Sequence, residues 1–200
     1  MISVTGVIQA GGRSTRMGGD PKALMELGGR PIVARVLDVV RQVTERVLLV
    51  TNTPDLYAFL GLPMVPDVFP EGGSLGGIYS GLRAAPGDAA FTVACDMPFL
   101  SAPVARLVVA RAGEADVVAP RIGAQWETLH ACYGKACLGP MERRLREGQL
   151  RITGFFDEVR VLAITEAEVV AVGDPARVFM NVNTPDELRR ARALAADARD

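Results

Sequence analysis

The segment Val4-Thr5-Gly6-Val7-Ile8-Gln9-Ala10-Gly11-Gly12-Arg13-Ser14-Thr15-Arg16-Met17-Gly18-Gly19-Asp20-Pro21-Lys22 decides how the chain is read. Val4 to Ile8 is a short apolar, β-branched run and predicts a buried strand. Directly after it come Gly11, Gly12, Gly18 and Gly19, with Arg13, Arg16, Lys22, Ser14 and Thr15 among and beside them. In an open parallel sheet, ligands bind beyond the C-terminal ends of the strands. Glycine lets backbone N–H groups approach an anion with no Cβ in the way. Arg and Lys neutralise phosphate charge, Arg as a planar fork and Lys as a point charge. The segment matches neither G-x-x-x-x-G-K-[S/T] nor G-x-G-x-x-G. We read it as a phosphate-binding loop. A basic, solvated surface loop is the competing reading.

Outward from this segment the chain alternates between two patterns. Short apolar runs recur at Val47 to Thr51, Phe91 to Ala94 and Val117 to Ala119. Between them lie stretches with helical spacing. In Pro31 to Val43, the residues Ile32, Val33, Val36, Leu37, Val39 and Val40 make one face; Arg35, Asp38, Arg41 and Gln42 make the other. Pro103 to Ala112 is a second such stretch. Buried strands alternating with amphipathic helices predict an α/β fold: a three-layer, mostly parallel sheet with helices on both faces. The second half is less regular. Thr128 to Tyr133 and Val159 to Ile164 read as strands, Ala136 to Glu147 as a helix, and Thr153 to Phe156 as the start of a short helix. Phe179 to Val182 closes the pattern ahead of a helix from Pro185 to about Ala196, for which Thr184 is a suitable N-cap. Asp186 and Glu187 fall in its first turn, where negative charge is favourable. No linker or repeat divides the 200 residues, so one domain over 1–200 is expected.

Composition excludes several classes. Lys plus Arg is 22 and Asp plus Glu is 23, a formal net charge of −1, so no basic field draws nucleic acid or an anionic membrane. No apolar run reaches the roughly 18–20 residues of a membrane span. No basic segment precedes an apolar stretch at the N-terminus, which argues against a secretory signal. Cys95, Cys132 and Cys137 are three in number and contain no C-x-x-C pair. A disulfide framework or thiolate metal site is therefore not expected, and a reducing, cytoplasmic compartment is. Met17, Met25, Met64, Met97 and Met141 read as packing residues, and Phe155-Phe156 as a core anchor.

Three further segments belong on the same rim as the first loop. Asn52 follows the second strand, Asp67 lies in Val65-Pro66-Asp67, and Asp96 lies in Cys95-Asp96-Met97-Pro98. Carboxylates at strand ends suit a hard cation or a sugar hydroxyl, and Mg²⁺ takes one or two of them alongside phosphates and water. Pro98 forces Met97 into an extended or turn conformation, which helps project Asp96 from the sheet. A helix cap is the alternative for Asp96, although Ser101 already stands at a cap position before Ala102-Pro103. Gly72-Gly73-Ser74-Leu75-Gly76-Gly77 leads into the apolar stretch Ile78 to Leu82 and can accept an anion or a flat base; a ligand-free tight turn is equally consistent. The single histidine, His130, sits in Trp126-Glu127-Thr128-Leu129-His130-Ala131. Trp126 can stack on a flat heterocycle and Glu127 can hydrogen-bond one. His130 fits either that role or a hydrogen-bonded interior position.

Ala10-Gly11-Gly12-x-x-x-Arg16-Met17-Gly18 with Lys22, Gly73-Ser74-Leu75-Gly76-Gly77, Cys95-Asp96-Met97-Pro98 and Asn181-Val182-Asn183-Thr184-Pro185 occur in this order. Together they resemble the molybdenum cofactor guanylyltransferase family of nucleotidyltransferases, over about 180 residues. The first loop and the Asp-x-Pro turn are shared with related nucleotidyltransferases; the Asn-x-Asn-Thr-Pro ending is more selective. The resemblance implies a Rossmann-like fold of the nucleotide-diphospho-sugar transferase type. It implies residues 1–100 as a nucleotide-binding half and 101–200 as an acceptor-binding half. It implies GTP and molybdopterin or molybdenum cofactor as substrates, Mg²⁺ as cofactor, and transient contact with proteins that deliver or receive the cofactor. By position, Gln9, Ala10, Gly11, Gly12 and Gly76 would line the nucleotide, with Asn52 loosely aligned and Asp67 at the nucleoside. Lys22 and Arg16 would meet the phosphates, and Asp96 would hold nucleotide and metal. Trp126, Glu127, His130, Asn181 and Asn183 would face the acceptor. Two departures stand out: the family usually carries Leu where Gln9 stands, and Asp-Lys where this chain has Pro21-Lys22. The alternatives are a nucleotidyltransferase using CTP or a sugar phosphate, and a non-catalytic nucleotide-binding relative.

Overall fold

The computed structural model describes residues 2–11 and 22–197. Gly12, Arg16 and the rest of the first loop's centre lie outside the described residues, as does Met17. In chain order the strands and helices are β1 (Val4–Gln9), β2 (Glu26–Leu27), β3 (Arg30–Pro31), α1 (Ile32–Val40), β4 (Arg46–Val50), β5 (Met64–Val65) and α2 (Gly73–Ala84). There follow β6 (Ala89–Ala94), α3 (Ala102–Ala110), β7 (Val117–Ile122), β8 (Gln125–Trp126), β9 (His130–Gly134) and α4 (Leu138–Arg146). The chain ends with β10 (Val161–Thr165), α5 (Glu166–Val170), α6 (Pro175–Val178) and α7 (Pro185–Asp197).

One sheet runs in the order β10-β7-β9-β6-β1-β4-β5, with β8 paired to β7. Strands β5, β4, β1 and β6 are mutually parallel. Strand β9 inserts antiparallel between β6 and β7, so the sheet is mostly parallel but not wholly so. Strand β6 is buried at all six positions because it lies at the centre with helices on both sides. On one face, Ile8, Leu49, Phe91 and Val93 pack with α1, α3 and α7. On the other, Val7, Leu48, Val50 and Ala90 pack with α2 and α4. These are the three layers the periodicity predicts. Helix α1 alone buries Ile32, Val33, Val36, Leu37 and Val40, each contributing roughly 1.5–3 kcal/mol relative to exposure.

Several local expectations change. The glycines at 73–77 do not precede a helix; α2 begins at Gly73, so they form its first turns. Packing accounts for Gly76 and Gly77, where a Cβ would lie 3.2 Å from Asp67 Oδ1 and 2.8 Å from Gln9 Cδ, and for Gly81 further along, where it would lie 3.2 Å from a Val50 methyl and run into Val7. Phe179 to Val182 is not a strand. The segment is anchored to the rim by one bond, Val182 N–H donating to the Asp96 carbonyl at 2.9 Å. Ser101 stands at the N-cap of α3 but its hydroxyl makes no capping bond. The C-terminus of α2 is closed by Lys135, whose Nζ donates to the Leu82 and Ala85 carbonyls, a cation placed where the helix dipole favours it.

His130 is fully buried, with its ring edge-on to Phe91 at 5.3 Å and to Phe179 at 5.2 Å. It occupies the core and not an acceptor site. It is not the hydrogen-bonded interior residue expected either, because among the described residues neither Nδ1 nor Nε2 has a partner. Burial depresses its pKa from 6.5 to about 3, since no group compensates the charged form. The folded state therefore binds fewer protons than the unfolded state between those values. The stability His130 permits is complete above pH 6.5 and is lost as pH falls towards 3. We predict that the stability of wild type relative to His130→Leu in urea titrations falls by up to ~1.4 kcal/mol per pH unit below 6.5. A difference independent of pH between 7 and 5 would contradict this placement. Gly81→Ala should cost about 1–3 kcal/mol by overpacking, read as a lower urea midpoint at unchanged slope.

Candidate active site

The C-terminal ends of β1, β4 and β6 form one rim, stitched by backbone bonds. Ala10 N–H donates to Val50 O at 2.9 Å, Cys95 N–H to Gln9 O at 3.1 Å, and Thr51 N–H to Val65 O at 2.9 Å. The rim carries two clusters of the side chains that sequence reading singled out.

The first cluster joins Asn52, Asp67, Gly76 and Gln9. Asn52 Oδ1 accepts from the Asp67 N–H at 2.9 Å. The Asp67 carboxylate accepts from Phe69 N–H at 3.0 Å and lies 2.8 Å from the Ser80 hydroxyl. That carboxylate rests against Gly76, where a Cβ would sit 3.2 Å from Oδ1. Ser80 also receives the Val68 N–H at 2.9 Å and lies 2.7 Å from the Gly76 carbonyl. Its one proton serves Asp67 or Gly76, and it ties the loop after β5 to α2. Sequence reading missed Ser80, because an isolated hydroxyl in a helix carries no local signal.

The second cluster joins Lys22, Asp96, Asn183 and Glu187. Lys22 Nζ donates to Asn183 Oδ1 at 3.0 Å. This contact brings the start of the chain to the Asn-x-Asn-Thr-Pro segment. Burial pushes the Asp96 carboxyl above the usual carboxylate range; the nearby Lys22 ammonium opposes the rise and the Glu187 charge adds to it. Lys22 and Asp96 thus share one electrostatic neighbourhood. Glu187 accepts from Asn183 N–H at 2.7 Å and Thr184 N–H at 2.9 Å, and its own N–H donates to Thr184 Oγ1 at 3.2 Å. This is a capping box. Sequence reading took Thr184 as the N-cap and Glu187 as first-turn charge; the reciprocal bonds between them, which fix the turn that presents Asn183, were not legible.

The five acceptor candidates do not gather. Trp126 lines a cleft of about 670 Å³ between the start of α2 (Gly73, Ser74), the β7–β8 hairpin and residues 150–153. Its ring lies edge-on to Phe156 at 5.5 Å, with the Arg121 guanidinium 5.5 Å from its centroid. Glu127 is half-buried, and burial raises its carboxyl pKa. Asn183 belongs to the Lys22 cluster, Asn181 Nδ2 donates back to the Phe179 carbonyl at 3.3 Å, and His130 is in the core.

The half-buried Asp96 carboxylate, with the Glu187 charge in its neighbourhood, offers hard oxygen donors of the kind that suit a small divalent cation. Among the described residues no group of three or more His, Cys, Asp or Glu is gathered, and one or two carboxylates supplemented by phosphate oxygens is the set Mg²⁺ ordinarily takes.

A mostly parallel sheet with helices on both faces, a carboxylate after β6 and a lysine ahead of β2 in its neighbourhood are consistent with the nucleotidyltransferase class. Residues 6–163 match the MobA-like NTP transferase domain, and the chain belongs to that family. A probable molybdenum cofactor guanylyltransferase from Pelotomaculum thermopropionicum is 38% identical over 199 residues, covering 100% of this chain and 97% of the relative. The molybdenum cofactor guanylyltransferase of Desulfosudis oleivorans is 39% identical over 194 residues, covering 96% of each. The crystal structure of molybdopterin-guanine dinucleotide biosynthesis protein A from Archaeoglobus fulgidus superposes with a TM-score of 0.83 over 96% of this chain and 99% of that one, at 22% identity; it supports the fold. No described helix is long and apolar enough to cross a membrane.

Thr184→Ala removes the hydroxyl that caps α7. We expect a loss of about 1 kcal/mol in urea unfolding, accompanied by faster amide exchange at Asn183. Unchanged stability and exchange would show that the box does not hold this turn.

Proposed function

We propose that the chain transfers GMP from GTP to the phosphate of molybdopterin or molybdenum cofactor, giving the guanine dinucleotide form and pyrophosphate. The observation that carries this reading is the convergence of Lys22, Asp96 and Asn183 at one end of the parallel strands. An acceptor phosphate oxygen attacks the α-phosphorus in line. The new P–O bond forms as the bond to pyrophosphate breaks. Both reactants are anions, so charge neutralisation and positioning dominate the barrier. The acceptor phosphate is already ionised at neutral pH and no protein nucleophile is required. Lys22, with Arg16 from the first loop, stabilises charge on the departing pyrophosphate. Asn183 holds the Lys22 ammonium beside Asp96. Magnesium held by Asp96 would supply Lewis-acid polarisation of the α-phosphate.

Gln9, Ala10, Gly11, Gly12, Asn52, Asp67 and Gly76 form the nucleoside side of the site. The acceptor's flat ring fits the cleft at Trp126, where Arg121 and Arg151 offer positive charge. Residues 1–100 then act mainly on the nucleotide and 101–200 on the acceptor, within one continuous sheet. Three unpaired thiols support a reducing, cytoplasmic setting, and the acceptor's chemistry supports transient contact with proteins that deliver or receive it.

Lys22→Ala and Asp96→Ala should each slow Mg²⁺-dependent pyrophosphate release at least tenfold, corresponding to ~1.4 kcal/mol, with the fold intact. Near-wild-type rates would refute these roles. GTP should raise the melting temperature more than CTP, UTP or ATP; at 100 times its Kd a ligand adds ~2.7 kcal/mol. A larger shift with CTP would overturn the guanine reading, and binding without pyrophosphate release would indicate a non-catalytic relative.

A further inference from the structure

Gln9 is the last residue of β1 and is 8% exposed. A buried amide at the edge of a nucleotide site needs partners for its donors and its acceptor. With the amide oriented so that donor meets acceptor, its nitrogen donates to the Ser74 carbonyl at 3.3 Å and its oxygen accepts from the Ile78 N–H at 3.2 Å. Both partners belong to the first turns of α2. The side chain reaches them because residue 77 is glycine: a Cβ there would lie 2.8 Å from Gln9 Cδ and strike the amide itself. Gly76, next along the helix, holds the Asp67 carboxylate against its bare Cα. Ser80, one turn further, hydrogen-bonds to that carboxylate.

We propose that Gln9 is a positioning residue for the nucleotide. Seated in the notch at Gly77, its amide pins the first turns of α2 to the end of β1 and so fixes Gly76 and the Asp67 carboxylate relative to Ala10 and Gly11. The inference rests on the GTP-dependent reading above and goes beyond it, because Gln9 acts through helix α2. The pairing is mutual. A methyl at position 77 displaces the flexible amide and leaves the helix in place, so Gly77→Ala acts by undoing what Gln9 does.

The test compares wild type with Gln9→Met, Gln9→Ala, Gly77→Ala and the double variant Gln9→Ala/Gly77→Ala. Methionine keeps the length and flexibility of glutamine and lacks the amide. GTP affinity is measured by calorimetry, and KM and kcat by pyrophosphate release. Gln9→Met should raise Kd and KM for GTP about tenfold, the worth of a lost buried hydrogen-bonding group, with kcat falling less than twofold. Gly77→Ala should do the same, and the double variant should be no weaker than Gln9→Ala, because the two changes remove one contact. A purely structural role would lower the melting temperature and leave KM alone. Wild-type KM in Gln9→Met, or multiplicative losses in the double variant, would overturn the proposal. Gln9→Ala decides the question should the methionine variant not fold. Absence of GTP binding by the wild type would sink the guanylyl-transfer reading itself, a distinct failure.

Discussion

Helix α2 lies against β1 because residue 81 carries no side chain, and the bare residue 77 leaves a notch between them for the Gln9 amide. At Gly81 the helix rests on Val7 and Val50, and at Gly77 on the Gln9 amide. Glycine in a helix interior costs about 0.5–1 kcal/mol relative to alanine, so three of them at 76, 77 and 81 weaken the helix locally. Their return is distance. The close approach brings the first turns of α2 and the Asp67 carboxylate resting on Gly76 to the end of β1. Asn52 and Asp67 are joined by their own bond; the close approach adds the end of β1 to them.

The opposite side of the rim is closed by charge. Lys22 enters from the end of the first loop and Asn183 from the turn before α7, and they meet at 3.0 Å. Asp96 is half-buried in the same electrostatic neighbourhood, its carboxyl pushed up by burial and pulled down by its own backbone N–H and by Lys22. The same capping box that starts α7 sets the Asn183 turn, so a device for ending and starting secondary structure also sets active-site geometry.

Much of this was legible in the sequence. Apolar runs and amphipathic stretches located the central parallel strands, α1 and the layers over them, because burial on both faces leaves a continuous apolar signature. Asn52, Asp67 and Asp96 fall on one rim, as positions just after the parallel strands β4, β5 and β6 must. What escaped depends on long-range pairing. Strand β9 reads as an apolar run, and only its neighbours make it antiparallel. Phe179 to Val182 has strand composition but meets the rim through a single backbone bond. The glycines at 76 and 77 look like a turn, and only the proximity of β1 makes them a packing surface. His130 looks like a candidate ligand, and only Phe91 and Phe179 show that it is enclosed.

Relatives that share nearly the whole chain length at 38% and 39% identity and a rim built from oxygen donors, an ammonium and close-packed glycines converge on one reaction. Mass analysis of the product after incubating the full chain with GTP, Mg²⁺ and molybdopterin, metal-free or molybdenum-loaded, tests that account most directly. It predicts an acceptor heavier by one guanylyl group with one pyrophosphate released per adduct. An unmodified acceptor, or an adduct formed from CTP and not from GTP, would contradict it.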